Sequence, residues 1–204
     1  MEIRYGILGL MGVLLILATG CSLGSVQSAS TRLFTLTPTV DPTAEAASPS
    51  DDVIGIGPVT LADYLDRPQI ITRTSPHELK ASEFSQWAEP LKSNIARVIR
   101  ENVSTLTGSE RVFSFPWRRS MQVDHQITVN VLRFDASSGG RVTLVVHWAV
   151  YGENTKEFRI HRRSTIESQA SGTGYDAIAE AMSRALGNLS REMVAGLSDI
   201  KTGV

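Results

Sequence analysis

The side chains that could bind a metal ion or transfer a proton include four histidines, His77, His125, His147 and His161. Imidazole is the commonest metal-ligating group in proteins. No two of them have the HExxH spacing that places a ligand pair on one helix face. The last three fall on neighbouring predicted strands, so two of them can share one face. Because a structural zinc site needs further convergent ligands, we expect solvent-side histidines and no metal site.

Motifs for nucleophilic catalysis and nucleotide binding are also missing. No GxSxG nucleophile elbow occurs in the sequence. Gly55-Ile56-Gly57-Pro58 lacks the third glycine, the lysine and the following helix of a phosphate-binding loop. We therefore expect a protein that is not an enzyme and has no cofactor. A periplasmic hydrolase stays a minor alternative.

The single cysteine, Cys21, follows an apolar run from Gly6 to Ala18. This run is shorter than the ~20 residues of a membrane span, and it is typical of a secretory signal peptide. Leu17–Cys21 resembles the lipobox of bacterial lipoproteins, in which the cysteine thiol takes a diacylglyceryl group. Each buried CH₂ contributes ~0.8 kcal/mol, so this anchor would be stable. The alternatives are an unlipidated signal peptide and an uncleaved anchor. By resemblance to enterobacterial sorting, Ser22 favours the outer membrane.

Composition excludes several classes of protein. The chain has 204 residues, of which 42% are hydrophobic and 20% charged, as in ordinary globular domains. A formal net charge of −1 provides no general basic field for nucleic acid. One cysteine excludes an intrachain disulfide and every zinc or iron–sulfur site that needs several cysteines.

Three regions follow from these patterns. We predict a lipoprotein signal peptide over residues 1–20 and a tether over residues 21–52. The tether contains a short strand at 32–36. Its part from residue 37 to 52 is rich in proline, serine and threonine and is predicted to lie outside the core. An α/β domain is expected over residues 53–204.

The strands of this domain are indicated by alternating polarity and by turn residues. Ser75-Pro76 suits a helix cap or a hairpin tip, and we favour the hairpin. In the first strand of a predicted meander, the apolar phase changes, and a bulge near Val131 would restore a common face. The predicted strands are Val53–Leu61, Gln69–Thr74, Arg111–Phe115, Gln122–Asp135, Arg141–Tyr151 and Glu157–Ile166.

Two helices are predicted. Apolar residues at steps of three and four begin near Phe84 and continue to Leu106, with Gly108 as a stop. Pro90 interrupts this period, which indicates a kink or a later start. A second stripe runs from Tyr175 to Leu197. The fold class expected is α+β, with a single mostly antiparallel sheet and both helices packed on one face.

A few exposed-type residues are candidates for a partner interface, where tryptophan and arginine are enriched. They are Trp117, Arg118, Arg119, Tyr64 and Arg67. Trp117 lies beside Pro116 in a predicted loop, which makes it harder to assign to the core than Trp87. The basic run Arg159–Arg163 splits between two faces of a strand. A solvated sheet face is favoured there over a site for anionic lipid.

Several segments together resemble one family. They are Leu17–Cys21, Phe34–Leu36, Ile54–Val59, Tyr64–Ile70, Glu78–Phe84, Trp87–Leu91 and Phe115–Trp117. Their order and spacing are similar to those of the PqiC (YmbA) group of ABC-type transport auxiliary lipoproteins. The resemblance covers essentially the whole chain after the signal peptide, and it is most specific from Tyr64 to Leu91.

This resemblance implies a non-catalytic subunit of an MCE-type intermembrane transport system that moves lipids. It implies an outer-membrane anchor with the domain facing the periplasm. The implied partners are a PqiB-like MCE protein and a PqiA-like inner-membrane protein, and a homo-oligomer is plausible. Only Cys21 is carried over as a functional residue. The alternative is a lipid-binding periplasmic lipoprotein of another ABC or MCE system.

Overall fold

The computed structural model describes residues 30–41, 51–118, 120–152 and 158–202. The predicted signal peptide and Cys21 lie outside these residues. A 3₁₀ turn, Asp63–Leu65, follows the second strand. In chain order, the strands and helices are β1 Arg32–Phe34, β2 Ile54–Leu61, β3 Gln69–Ser75, β4 Glu78–Trp87, α1 Leu91–Thr107, β5 Val112–Ser114, β6 His125–Ser137, β7 Arg141–Tyr151, β8 Phe158–Gln169 and α2 Tyr175–Thr202.

Within the described residues, eight strands form one sheet around β6. The β6–β7, β7–β8 and β3–β4 pairs are antiparallel, and the predicted hairpin tip lies between β3 and β4. The β6–β2, β6–β3, β2–β5 and β4–β1 pairs are parallel. The prediction of one mostly antiparallel sheet is confirmed in part, because the sheet is mixed and its two longest pairings, β6–β7 and β7–β8, are antiparallel. Alternating polarity reveals a strand but not its direction, and only the hairpins are evident from local turns.

The core lies between the sheet and the two helices, which also contact each other. The predicted inward face of β7 is confirmed: Val142, Leu144, Val146, Trp148 and Val150 are all at most 1% exposed. Small residues of α2 allow a close approach to the sheet. A Cβ atom on Gly196 would lie 2.9 Å from Ile160 and 3.2 Å from the Trp148 ring.

Two bulges keep the apolar side chains on the core side. In β6 the register shifts between Val131 and Arg133, as predicted, and the extra residue Leu132 is 39% exposed. In β2 the shift falls between Ile56 and Val59. Gly57 lies there with φ 117°, and a Cβ atom on it would be 2.8 Å from the Cβ of Phe115. Glycine is thus required at that bulge.

The first helix begins later than its apolar period predicts. Phe84 and Trp87 belong to β4, and α1 begins at Leu91 directly after Pro90. Pairing with β3 holds the backbone of residues 78–86 extended, and Pro90 is tolerated only at the start of a helix. Helix from Phe84 is therefore wrong, the later start indicated by Pro90 is confirmed, and Gly108 ends α1 in the left-handed conformation as predicted.

The segment that follows β1 packs on both helices, and we call residues 35–40 the strap. Leu36 is fully buried and Val40 is 8% exposed. The Thr37 N–H donates to Ser183 Oγ of α2 (3.1 Å), and the Thr39 N–H donates to Asn102 Oδ1 of α1 (3.1 Å). The prediction that residues 37–52 lie outside the core is therefore wrong for Val40.

Candidate functional site

Tyr64, a candidate interface residue, binds a buried carboxylate. Asp135 has no exposed side-chain surface. Its Oδ2 accepts hydrogen bonds from the Tyr64 hydroxyl (3.1 Å) and from Arg73 Nη2 (2.9 Å). Its Oδ1 accepts from Arg73 Nε (3.1 Å) and from Arg133 Nε (3.0 Å). These charge-assisted bonds tie the segment between β2 and β3 to the central strand, so Tyr64 helps to stabilise the fold.

The β6 bulge assembles this cluster, because it brings Arg133 and Asp135 to the face of the sheet away from the helices, with Phe134 in the core. In the sequence, this cluster is indicated by Arg133 and Asp135, two charged residues in the second half of the predicted strand Gln122–Asp135. The ends of β3 and β6 are brought together by a parallel pairing that only the structure reveals.

The cluster predicts a loss of stability in alkali. The pKa of Tyr64 is raised above its ordinary value near 10 by burial first and then by the negative charge of Asp135. The unfolded chain therefore releases this proton at lower pH than the folded chain does. The contribution of the protonated Tyr64 phenol to the free energy of unfolding is fully present below about pH 10. It is lost as the pH rises through the pKa that Tyr64 has in the folded chain.

We expect the fall in unfolding free energy between pH 9 and 11 to be smaller in Tyr64→Phe than in the natural protein, as measured by urea titration at each pH. Tyr151→Phe is the matched control, because it removes a phenol outside the cluster. Equal falls in the natural protein and in Tyr64→Phe would contradict this assignment.

Arg67 lies at the rim of a cleft of about 330 Å³ between two segments of the chain. Residues 66–68 form one wall, and residues 87–91 form the other. The Trp87 N–H donates to the Pro68 carbonyl (2.7 Å), which joins the walls. The ring of Trp87 is buried, whereas Arg67 is exposed. The two ends of the stretch with the most specific family resemblance, Tyr64 to Leu91, thus meet in one place.

Arg97 of α1 connects this cleft to the strap. Its Nη2 donates to Glu89 Oε1 (2.9 Å) in one wall of the cleft. The same nitrogen lies 3.0 Å from the Leu36 carbonyl and 2.8 Å from Asn94 Oδ1. The cleft and the strap are therefore held by one guanidinium group.

Trp117 is more buried than its place beside Pro116 suggests. Its ring covers Gly55, where a Cβ atom would be 2.6 Å from Cη2 of the indole. Phe115 meets the indole edge to face, with ring centres 5.4 Å apart, and is itself 51% exposed. Phe115 is thus the more accessible aromatic residue, although it is not among the interface candidates named from the sequence. Arg118 is exposed, and Arg119 lies outside the described residues.

The candidate interface residues form two separate groups. Trp117 covers Gly55 near the start of β2, whereas Tyr64 and Arg67 follow its end at Leu61. Six steps of about 3.3 Å separate Gly55 from Leu61, which is about 20 Å. The two groups lie within the width of one ordinary protein interface, which buries about 800 Å² on each partner.

In the described part of the chain, no histidine joins a group of three or more possible metal ligands. His77 is at the β3–β4 hairpin, and His125 Nε2 lies 3.5 Å from Asp52. His147 and His161 are neighbours, with ring centres 5.8 Å apart. Across the part of the chain that the structure describes, no three His, Cys, Asp or Glu residues come together to hold a metal. No helix in the same part is both long and apolar enough to span a bilayer.

Known proteins share this fold. One crystal structure of an uncharacterised protein matches with a TM-score of 0.68 at 15% identity, covering 83% of this chain and 99% of that one. The crystal structure of a Xanthomonas campestris protein matches with a TM-score of 0.66 at 17% identity, covering 84% and 99%.

Sequence relatives identify the family. The intermembrane transport lipoprotein PqiC of Escherichia coli is 24% identical over 182 residues, which cover 89% of this chain and 91% of PqiC. The PqiC of Shigella flexneri matches equally. The family model for the ABC-type transport auxiliary lipoprotein component matches residues 34–194. The resemblance seen in the sequence is confirmed, and the chain belongs to the ABC-type transport auxiliary lipoprotein family.

Proposed function

We propose that the chain is a non-catalytic docking subunit of a PqiABC-like MCE intermembrane transport system that moves lipids. It is anchored in the outer membrane through lipidated Cys21, and its domain faces the periplasm. The observation that carries this proposal is the similarity to PqiC, an intermembrane transport lipoprotein, over 91% of the length of that relative. The proposed partners are a PqiB-like MCE protein and a PqiA-like inner-membrane protein.

The two separated surfaces suit a docking subunit. An exposed arginine lies at each, Arg67 at the cleft rim and Arg118 beside the Phe115–Trp117 pair. Arginine next to aromatic side chains is a common anchor in protein interfaces. About 20 Å separates the two surfaces, which is within the width of an ordinary protein interface, so both are proposed to contact the MCE protein.

Co-purification tests this role. The protein is crosslinked gently in its native cells, purified from membranes, and its partners are identified by mass spectrometry. We expect an MCE protein, with at least a fivefold lower yield for Arg67→Glu or Arg118→Glu. Lys92→Glu, which changes an exposed residue of α1, is the matched control. Recovery of the folded, lipidated protein without an MCE protein would contradict the proposal.

The anchor has its own test. Mass spectrometry of the N-terminal peptide is expected to show an acylated cysteine at position 21. Cys21→Ala is expected to leave the outer-membrane fraction. An unmodified Cys21 in the natural protein would remove the anchor from the proposal while leaving the docking role open.

A further inference from the structure

The outward side of β6, β7 and β8, together with the end of β3 that pairs with β6, faces away from α1 and α2 and carries an excess of positive charge. We call it the meander face. Within the described residues, its arginines are Arg73, Arg133, Arg141 and Arg163. Its carboxylates in the same part of the chain are Asp135 and Glu167, so the described residues, which leave out 153–157 between β7 and β8, carry a surplus of two positive charges. The whole chain has a net charge of −1, so positive charge is concentrated on this side.

Part of this charge is available to a partner. Asp135 is shared by Arg73 and Arg133, so one carboxylate faces two guanidinium groups. Arg141 and Glu167 are 3.7 Å apart and more than half exposed. Such a surface pair is weak and readily exchanged for another anion. A depression of about 370 Å³ opens between Arg133 and Arg141.

The other end of the meander face is aromatic. Phe158 is 61% exposed and lies 4.9 Å from the Tyr151 ring and 5.8 Å from the His161 ring, between centres. These rings border a shallow depression of about 420 Å³, with Ala149 and Pro58 also in its lining. Along β7, Tyr151 and Arg141 are separated by ten steps of about 3.3 Å, or about 33 Å.

We propose that the meander face lies against an anionic bilayer surface, with Arg141 and Arg163 on lipid phosphates and Phe158 in the headgroup layer. Guanidinium groups pair bidentately with phosphate, and aromatic side chains favour the membrane interface. The proposal rests on the membrane anchor of the proposed function, which keeps the domain beside a bilayer.

A fluorescent reporter tests this contact. The lipoprotein purified from membranes is reconstituted into vesicles of phosphatidylcholine alone or with 30% phosphatidylglycerol. A thiol-reactive dye is placed on Thr165→Cys, on the meander face, or on Lys92→Cys, on α1. The natural chain, whose single cysteine is Cys21, is treated with the same dye as a control for labelling of Cys21. Quenching by brominated lipids measures contact between the dye and the bilayer.

We expect at least twofold more quenching at position 165 in the anionic vesicles than in the neutral ones, and little change at position 92. Salt at 1 M is expected to remove the difference, because it shortens the screening length to about 3 Å. The difference in quenching at position 165 between anionic and neutral vesicles is expected to fall at least twofold in two variants. One combines Arg141→Glu with Arg163→Glu, and the other is Phe158→Ala.

Equal quenching in both vesicle types, or equal quenching at positions 165 and 92, would overturn the proposal. Protection of position 165 by a co-purified protein but not by vesicles would also overturn it and assign the face to a protein partner. These outcomes are independent of the docking role, because co-purification with an MCE protein can succeed while the reporter stays unquenched.

Discussion

An Asp135→Asn variant is expected to lose about 3 kcal/mol of its free energy of unfolding, the lower end of the cost of breaking a buried ion pair. The amide keeps the shape of the carboxylate but removes its charge and turns an NH₂ group toward donors. Arg73 and Arg133 are 20% and 34% exposed, so water recovers part of the loss. For a domain of this size the melting temperature would fall by about 6–12 °C.

Urea unfolding checks this value, with an unchanged dependence on denaturant as the sign that the two states are the same. Glu167→Gln is the matched control, because it removes a carboxylate from an exposed pair on the same face. It is expected to cost less than about 1 kcal/mol. If Asp135→Asn cost no more than Glu167→Gln, the buried cluster would not stabilise the fold as inferred.

Gly187→Ala is expected to destabilise the protein by about 2 kcal/mol, although alanine favours a helix interior over glycine by about 1 kcal/mol. A Cβ atom there would collide with Thr39 Oγ1 of the strap. Moving Thr39 breaks its hydrogen bonds to the Ser183 carbonyl and to Asn102 Oδ1. The buried Asn102 amide, whose Nδ2 already has no partner among the described residues, would then lose its bond as well.

The double variant Gly187→Ala with Thr39→Ala distinguishes this clash from a general effect on α2. Removing the Thr39 hydroxyl makes room for the new methyl group, so the two substitutions together are expected to cost less than the sum of the single ones. Limited proteolysis is expected to cut within residues 35–40 of Gly187→Ala first. A variant that is about 1 kcal/mol more stable would show that the strap does not pack as described.

Local patterns were sufficient for the elements whose partners are close in the chain. The alternation of β7, the hairpin at Pro76, the bulge after Val131 and the stop at Gly108 all depend on neighbouring residues. Phe84 shows the opposite case. Its spacing to Trp87 and Leu91 mimics a helix, but pairing with β3 decides the backbone there, as tertiary context overrides local preference.

The candidate site depended more on distant contacts. The sequence names Tyr64 as an interface candidate, but its hydrogen-bond acceptor Asp135 is 71 residues away in the chain. No local pattern connects the two residues. The strap was missed because its proline- and threonine-rich composition is typical of linkers, whereas its burial depends on grooves between α1 and α2. Gly187 is the residue in the sequence that points to this packing, because glycine inside a long helix often marks a close approach of another segment.

Under the proposed anchoring, the strap determines how a pulling force enters the domain. A pull on the N-terminus reaches β1 first, and β1 runs parallel to β4 over three residue pairs. Force along these strands would load their hydrogen bonds together in shear instead of opening them one at a time. Beyond β1, the hydrogen bonds of Thr37 and Thr39 pass the load to both helices. The anchored end is thereby mechanically clamped, so the domain is expected to keep its structure when membrane and partner move apart.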